Sequence, residues 1–171
     1  MIYIDLDGVL ADLEAYIIQK SPIAAEEEFE FFKFAFEDPK FFLDSPVLEI
    51  GFELLKKIQK EGDEYRILSS LPCINKFYTY AKQHDISPSK VQKVYARFAD
   101  NKIEFCKKLN IPASNVILVN STSEKLRYCQ NPNDIIYDDR ETIVKEWTKK
   151  GGLGMLVPYN SRRKEYIGEE K

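Results

Sequence analysis

The sequence is poor in histidine and cysteine, and each shortage excludes a class of protein. The single histidine, His84, excludes zinc sites built from several histidines and argues against a Ser-His-Asp hydrolase. The three cysteines are odd in number and widely spaced, and no CxxC occurs. This pattern excludes a disulfide framework and a zinc knuckle, and it favours a reducing compartment. We therefore expect a cytoplasmic protein.

Long apolar runs and an excess of positive charge are also missing. No apolar run approaches the length of a membrane span, and the first ten residues, MIYIDLDGVL, lack the basic region of a signal peptide, so we expect no membrane partner. The formal net charge of −3 argues against stable binding of nucleic acid through a broad basic surface. The 171 residues, 44% of them apolar, suffice for one domain with a modest insertion. Whether the protein forms a homodimer is left open.

Short apolar runs alternate along the chain with segments in which apolar residues recur at helical spacing. The runs predict strands at residues 2–4, 65–68, 91–95, 116–119, 134–137 and 155–157. Most runs are continuously apolar, which is typical of strands that are covered on both faces. We therefore predict an α/β fold with an open, mostly parallel, Rossmann-like sheet flanked by helices.

Carboxylates and hydroxyls follow three of the predicted strands. They are Asp5 and Asp7, Ser69 and Ser70, and Asp138 and Asp139. Because ligands bind outside the carboxyl ends of parallel strands, we expect these residues to share one edge of the sheet. Hard oxygen ligands without histidine suit Mg²⁺, and Mg²⁺ beside a free carboxylate suits phosphoryl transfer.

A simpler explanation is that the two acidic pairs stabilise helix starts. Asp5 and Asp7 would then cap the first helix, and Asp138 and Asp139 would begin the helix that follows them. Capping explains either pair alone, but it explains less well why both pairs stand at the ends of predicted strands.

Three segments resemble the motifs of the haloacid dehalogenase superfamily of phosphohydrolases. DLDGVLAD, residues 5–12, resembles motif I; Ser69 after an apolar run matches the hydroxyl of motif II; and IIYDDR, residues 135–140, matches the acidic motif IV. The resemblance is greatest to the 5′(3′)-deoxyribonucleotidases, in which a segment similar to KFFLDSPVLEIGFELLKKI, residues 40–58, precedes motif II. It implies Mg²⁺-dependent hydrolysis of nucleoside 5′-monophosphates through an aspartyl-phosphate.

The resemblance also implies roles for the acidic residues. Asp5 would be the nucleophile and a metal ligand. Asp7 would be the general acid and then the general base, and its backbone carbonyl would bind the metal. Asp138 and Asp139 would complete the metal shell, and which of them is the direct ligand stays open.

The hydroxyls and one lysine would bind the phosphate in this family. Ser69 would hydrogen-bond the transferring phosphoryl group, with Ser70 beside it. Lys125 follows the strand at 116–119 and precedes the acidic pair, so it stands where the family has its phosphate-site lysine. Lys102 is the rival for that role.

The resemblance finally implies a small helical cap over residues 13–64, with residues 1–12 and 65–171 as the catalytic core. Phenylalanines crowd part of this cap. Phe32 and Phe36 share a helical face and are candidates for stacking on a nucleobase, although such rings can equally form the core of the cap. Three alternatives stay open: a phosphatase for another small phosphomonoester, one for a polynucleotide end, and a non-catalytic nucleotide-binding protein.

Overall fold

A computed structural model describes residues 1–20 and 28–157, which form one sheet with helices packed around it. The strands are β1 (Ile2–Ile4), β2 (Tyr65–Ser70), β3 (Val116–Val119), β4 (Ile135–Asp138) and β5 (Leu153–Leu156). The helices are α1 (Leu13–Lys20), α2 (Glu28–Glu37), α3 (Glu49–Glu61), α4 (Ile74–Gln83), α5 (Pro88–Lys108) and α6 (Glu141–Lys149). Two short 3₁₀ helices lie at Ala113–Asn115 and Thr122–Tyr128.

The sheet is parallel throughout, in the order β3-β2-β1-β4-β5. The central strand β1 lies between β2 and β4, with Ile4 opposite Ile67 on one side and Tyr137 on the other. The predicted α/β fold with a parallel sheet is therefore confirmed. This order brings the carboxyl ends of β1, β2 and β4 side by side, so the residues that follow these three strands share one edge.

Local signals in the sequence set several helix ends. Asp12 begins α1, since its Oδ1 accepts a hydrogen bond from the backbone N–H of Ala15 at 2.8 Å. Gly62 ends α3 in the left-handed conformation, with a φ of 76°, which glycine adopts without a steric penalty. None of the helices in the described ranges combines the length and the apolar character that crossing a bilayer requires.

The strand predicted at residues 91–95 is wrong, because these residues lie inside the long helix α5. Ser87 caps this helix by accepting a hydrogen bond from Lys90, and Pro88 occupies its first turn. Val94 and Phe98, which are both buried, lie one turn apart on the face that enters the core. The preference of valine and tyrosine for strands is weaker than this start signal combined with burial.

The chain leaves the sheet layer after Asp12 and comes back beside the same loop. The backbone N–H of Asp12 donates to the carbonyl of Pro46, and that of Leu48 donates to the carbonyl of Leu10, each at 2.9 Å. We call the segment between these contacts, residues 13–45, the insertion. The next helix, α3, contributes Leu55 and Ile58 to the same buried cluster as Ile4. A cap extending over residues 13–64 stays a prediction.

Candidate active site

Asp5 lies directly after β1 and is the most enclosed carboxylate of motif I. Its side chain is 5% exposed. Its Oδ1 accepts a hydrogen bond from the backbone N–H of Leu6 at 2.7 Å, and its Oδ2 lies 2.6 Å from Nζ of Lys125. Lys125, which is 1% exposed, also donates to Oδ2 of Asp138 at 2.8 Å. This lysine therefore bridges the ends of the neighbouring strands β1 and β4.

The second acidic pair begins at the last residue of β4. Asp138 is fully buried, and its Oδ1 accepts the backbone N–H of Arg140 at 2.9 Å. The side chain of Asp139 makes no hydrogen bond or ion pair with any other residue in the described part of the chain. It lies against Gly8, where a Cβ atom would stand 2.2 Å from Oδ2 of Asp139. With a φ of 73°, Gly8 is required both for its backbone conformation and for the space it leaves.

The arrangement of the carboxylates suits a small divalent cation. Asp5, Asp138 and Asp139 each offer one oxygen, and these oxygens lie within 4.8 Å of one another. Carboxylate oxygens are the ligands that Mg²⁺ prefers. The side chain of Asp7 is not part of this set, so among the predicted metal ligands Asp7 has only its backbone carbonyl left to offer.

Burial and mutual repulsion perturb the acids of this cluster. Burial, with a further contribution from the charge of Asp138, raises the pKa of Asp5 to about 7 and that of Asp139 to about 6. Burial opposes the charge of Lys125, but the carboxylates of Asp5 and Asp138 outweigh it and raise the pKa of the lysine. Because Lys125 carries one positive charge, the cluster keeps an excess of negative charge when its three carboxylates are ionised.

A second buried lysine serves the other carboxylate of motif I. Nζ of Lys102, on α5, donates to Oδ2 of Asp7 at 2.6 Å, to Oγ of Ser69 at 2.9 Å and to the carbonyl of Ser70 at 2.8 Å. The hydroxyl of Ser69 in turn donates to Oδ2 of Asp7 at 3.1 Å. Both candidate lysines are therefore in the site, with different partners: Lys125 contacts Asp5, and Lys102 contacts Asp7 and Ser69.

The helix-start explanation of the acidic pairs fails for the first pair. Helix α1 is capped by Asp12, and the side chains of Asp5 and Asp7 are held by lysines instead. For the second pair the helix-start explanation holds only in part. Asp138 accepts a hydrogen bond from the backbone N–H of Arg140, the residue before α6, but it also binds Lys125.

The two phenylalanines predicted to stack on a base lie in the core. Phe32 and Phe36 are each 7% exposed. The ring of Phe32 packs against Phe77 at a centroid distance of 5.1 Å, and Phe36 stacks on Tyr80 at 5.5 Å. These contacts favour the alternative that the rings form the interior of the insertion where it meets α4.

Sequence reasoning missed three further groups of the site. Ser70 and Thr122 place their hydroxyl oxygens 3.4 Å apart, and Arg140 donates to the Thr122 hydroxyl at 3.0 Å, so a polar rim flanks the acidic edge. Phe42 lies beneath Lys102, with its ring centroid 4.9 Å from Nζ. Thr122 and Arg140 adjoin the predicted residues in the sequence, which is a signal that could have found them. Phe42 lies in the segment of resemblance at residues 40–58, but that segment does not indicate a contact with Lys102.

Neither the protein-family models nor the curated proteins with which the chain was compared match it.

Proposed function

We propose that this protein is a Mg²⁺-dependent phosphoric monoester hydrolase of the haloacid dehalogenase type, acting on nucleoside 5′-monophosphates. The observation that carries the proposal is the environment of Asp5. It is a buried carboxylate at the centre of the sheet edge, 2.6 Å from Lys125 and next to the acidic pair of β4. Lys125 favours the ionised form that a nucleophile needs, against the burial that raises the pKa of Asp5 to about 7. The neighbouring acids supply the ligands for a cation, whose charge would favour the ionised form further.

In the proposed reaction, a carboxylate oxygen of Asp5 attacks the phosphorus atom and forms an aspartyl-phosphate. The bond between phosphorus and the ester oxygen breaks, and Asp7 gives its proton to the departing alcohol. Asp7 then takes a proton from a water molecule, which attacks the phosphorus atom of the intermediate. Inorganic phosphate leaves and the carboxylate of Asp5 is restored. Lys125 neutralises charge beside Asp5 in both steps.

Asp5, Asp138 and Asp139 are the side chains that would hold Mg²⁺, because their oxygens converge and the carboxylate of Asp139 makes no hydrogen bond or ion pair with the described residues. When bound, Mg²⁺ would neutralise negative charge on the phosphoryl group. Gly8 supports this role indirectly, since it leaves the space that the carboxylate of Asp139 occupies.

The choice of nucleoside monophosphates rests on the resemblance of the motifs. Another small phosphomonoester or a polynucleotide end would use the same acids and lysines. A non-catalytic nucleotide-binding protein is less well supported, because binding alone needs neither a buried nucleophile nor a proton donor beside it. We do not assign base recognition to Phe32 and Phe36, since their rings are packed in the core.

The test is phosphate release from a panel of esters, with Mg²⁺ and with EDTA. The panel comprises ribo- and deoxyribonucleoside 5′-monophosphates, a sugar phosphate, glycerol phosphate and a 3′-phosphorylated oligonucleotide. We expect Mg²⁺-dependent hydrolysis that is fastest with the nucleotides. Asp5→Asn should lower turnover by roughly 10⁴-fold or more, as loss of a nucleophile does.

Asp63→Asn is the matched control, because this substitution makes the same chemical change at an exposed position after α3. Turnover that survives in Asp5→Asn would overturn the mechanism. Hydrolysis of only the sugar phosphate or only the oligonucleotide would replace the proposed substrate. Saturable nucleotide binding without any phosphate release would identify a binding protein instead.

A further inference from the structure

All three donor hydrogens of the Lys102 ammonium are used in hydrogen bonds within the protein. A lysine ammonium has three donor hydrogens, and Nζ of Lys102 makes three hydrogen bonds: to Asp7, to Ser69 and to the Ser70 carbonyl. Its side chain is 1% exposed. A phosphate could bind this ammonium only by displacing one of these partners, so the geometry is that of a group which holds other side chains in place.

The carboxylate oxygen Oδ2 of Asp7 is the charged partner of Lys102. Oδ2 of Asp7 accepts hydrogen bonds from both Lys102 and Ser69, whereas Oδ1 makes no hydrogen bond with the described residues. The side chain of Asp7 is 35% exposed, in contrast to Asp5, which is 5% exposed. One oxygen is thus fixed from within the protein, and the other is left for a group that arrives from outside.

Lys102 is itself held by contacts between α5 and the insertion. The neighbouring residue Asn101 donates to the backbone carbonyls of Pro39 at 3.0 Å and Phe41 at 2.9 Å. The rings of Phe42 and Phe98 lie 4.9 and 5.5 Å from Nζ of Lys102. These contacts hold α5 against the insertion and enclose the ammonium between aromatic rings.

Phe42 keeps this position at a conformational cost. It is fully buried and has a φ of 78°, a region that a bulky residue rarely occupies. Such a conformation persists only where the surroundings enforce it. In this conformation the ring of Phe42 packs against Lys102, the lysine that binds Asp7.

We propose that Lys102 is a positioning residue for proton transfer: it fixes Oδ2 of Asp7, so that Oδ1 exchanges the proton with the leaving alcohol and then with water. Through Asn101, the same helix couples the placement of the insertion to that of Asp7. The inference rests on the proposed function, because it assigns a support to the general acid of that reaction.

The test compares Lys102→Met with Lys102→Arg, and Lys107→Met is the matched control. Lys107 lies on the same helix, but it is exposed, and its ion pair among the described residues is with Glu104. Each variant is assayed with a nucleoside 5′-monophosphate, whose alcohol leaves only when protonated, and with p-nitrophenyl phosphate, whose phenolate leaves unprotonated.

With the nucleotide, Lys102→Met should lower kcat by about 10²- to 10³-fold, the usual contribution of general acid–base catalysis, and change KM by less than about threefold. With p-nitrophenyl phosphate it should release about one equivalent of p-nitrophenol per enzyme rapidly and then turn over slowly, because water activation also needs Asp7. Lys102→Arg should recover part of kcat, and Lys107→Met should match the wild type.

A large increase in KM with an unchanged kcat would overturn the inference and make Lys102 a phosphate ligand. Equal losses with both substrates and no burst would make it merely structural. Circular dichroism checks folding, and if Lys102→Met does not fold, Lys102→Gln, which keeps an N–H donor, undergoes the same comparison. An inactive wild type defeats the proposed function itself. An active wild type with an inactive Asp5→Asn and an unaffected Lys102→Met defeats only this inference.

Discussion

Replacing Lys125 by methionine should destabilise the fold strongly, because one ammonium neutralises two buried carboxylates. Lys125 is 1% exposed, and its partners Asp5 and Asp138 are 5% and 0% exposed. Removing one member of a buried ion pair costs about 3–5 kcal/mol. We expect the lower end, about 3 kcal/mol at pH 8, because Asp5, whose pKa is about 7, can relieve part of the repulsion by taking up a proton.

An exposed ion pair of the same length provides the control. Nζ of Lys145 lies 2.7 Å from Glu141 on α6, and these two side chains are 64% and 65% exposed. Lys145→Met should cost no more than about 0.5 kcal/mol, since water and salt screen such a pair. The two substitutions are chemically identical and differ in the burial of the pair that is broken.

Urea unfolding at pH 8 in EDTA measures both costs as changes in the free energy of unfolding. Adding Asp5→Asn to Lys125→Met removes one of the stranded carboxylates, so the double variant should recover at least about 1 kcal/mol relative to Lys125→Met alone. A loss below about 1 kcal/mol in Lys125→Met, equal to that in Lys145→Met, would refute the reasoning that this lysine neutralises the buried acids.

Two further predictions concern the acidic edge. In the metal-free protein, stability should fall as pH rises from about 4 to 7, because an unfolded aspartate loses its proton near pH 3.8, whereas the raised pKa values of Asp139, about 6, and of Asp5, about 7, keep protons on the folded protein. Urea unfolding in EDTA from pH 4 to 8 checks this, and an unchanged stability would contradict it. Gly8→Ala should cost about 1–3 kcal/mol through its φ of 73° and push Asp139 aside. The stabilisation that Mg²⁺ gives to thermal unfolding should therefore vanish in this variant, and a full Mg²⁺ effect would show that Asp139 does not hold the cation.

The acidic half of the site could be predicted from the sequence because it depends on short-range patterns. Continuous apolar runs identify buried parallel strands, and side chains after such strands meet at one edge of the sheet. This rule places Asp5 and Asp138 at one edge of the sheet, although they lie 133 positions apart in the chain. Their direct proximity follows from the pairing of β1 with β4. Their separation along the sequence plays no part in the rule.

The place of Lys102 could not be predicted in the same way. A lysine on a helix is usually exposed, and the partners of Lys102 are known only once α5 is seen to pack beside the ends of the strands. A strand predicted at residues 91–95 makes Lys102 a candidate, since the lysine then opens a helix after a strand. The same prediction divides the helix that carries Lys102, so it does not predict the partners of the lysine. The phenylalanines pose a related problem, since helical spacing shows that Phe32 and Phe36 share a buried face but not whether the face meets a ligand or the core.

The distribution of partners among the four carboxylates is itself an argument about their roles. Lys125 takes one oxygen each from Asp5 and Asp138, and Lys102 takes one from Asp7. Asp139 makes no direct ion pair among the described residues, although the charges of Lys125 and Arg140 act on it and partly offset the rise that burial causes in its pKa. The two lysines by themselves leave two negative charges on the four acids if all are ionised. A divalent cation held at Asp139 would balance that charge at the carboxylate that has no direct ion pair. A purely structural network would place its lysines to pair every acid, so the unpaired carboxylate marks the position at which a ligand from outside the chain completes the site.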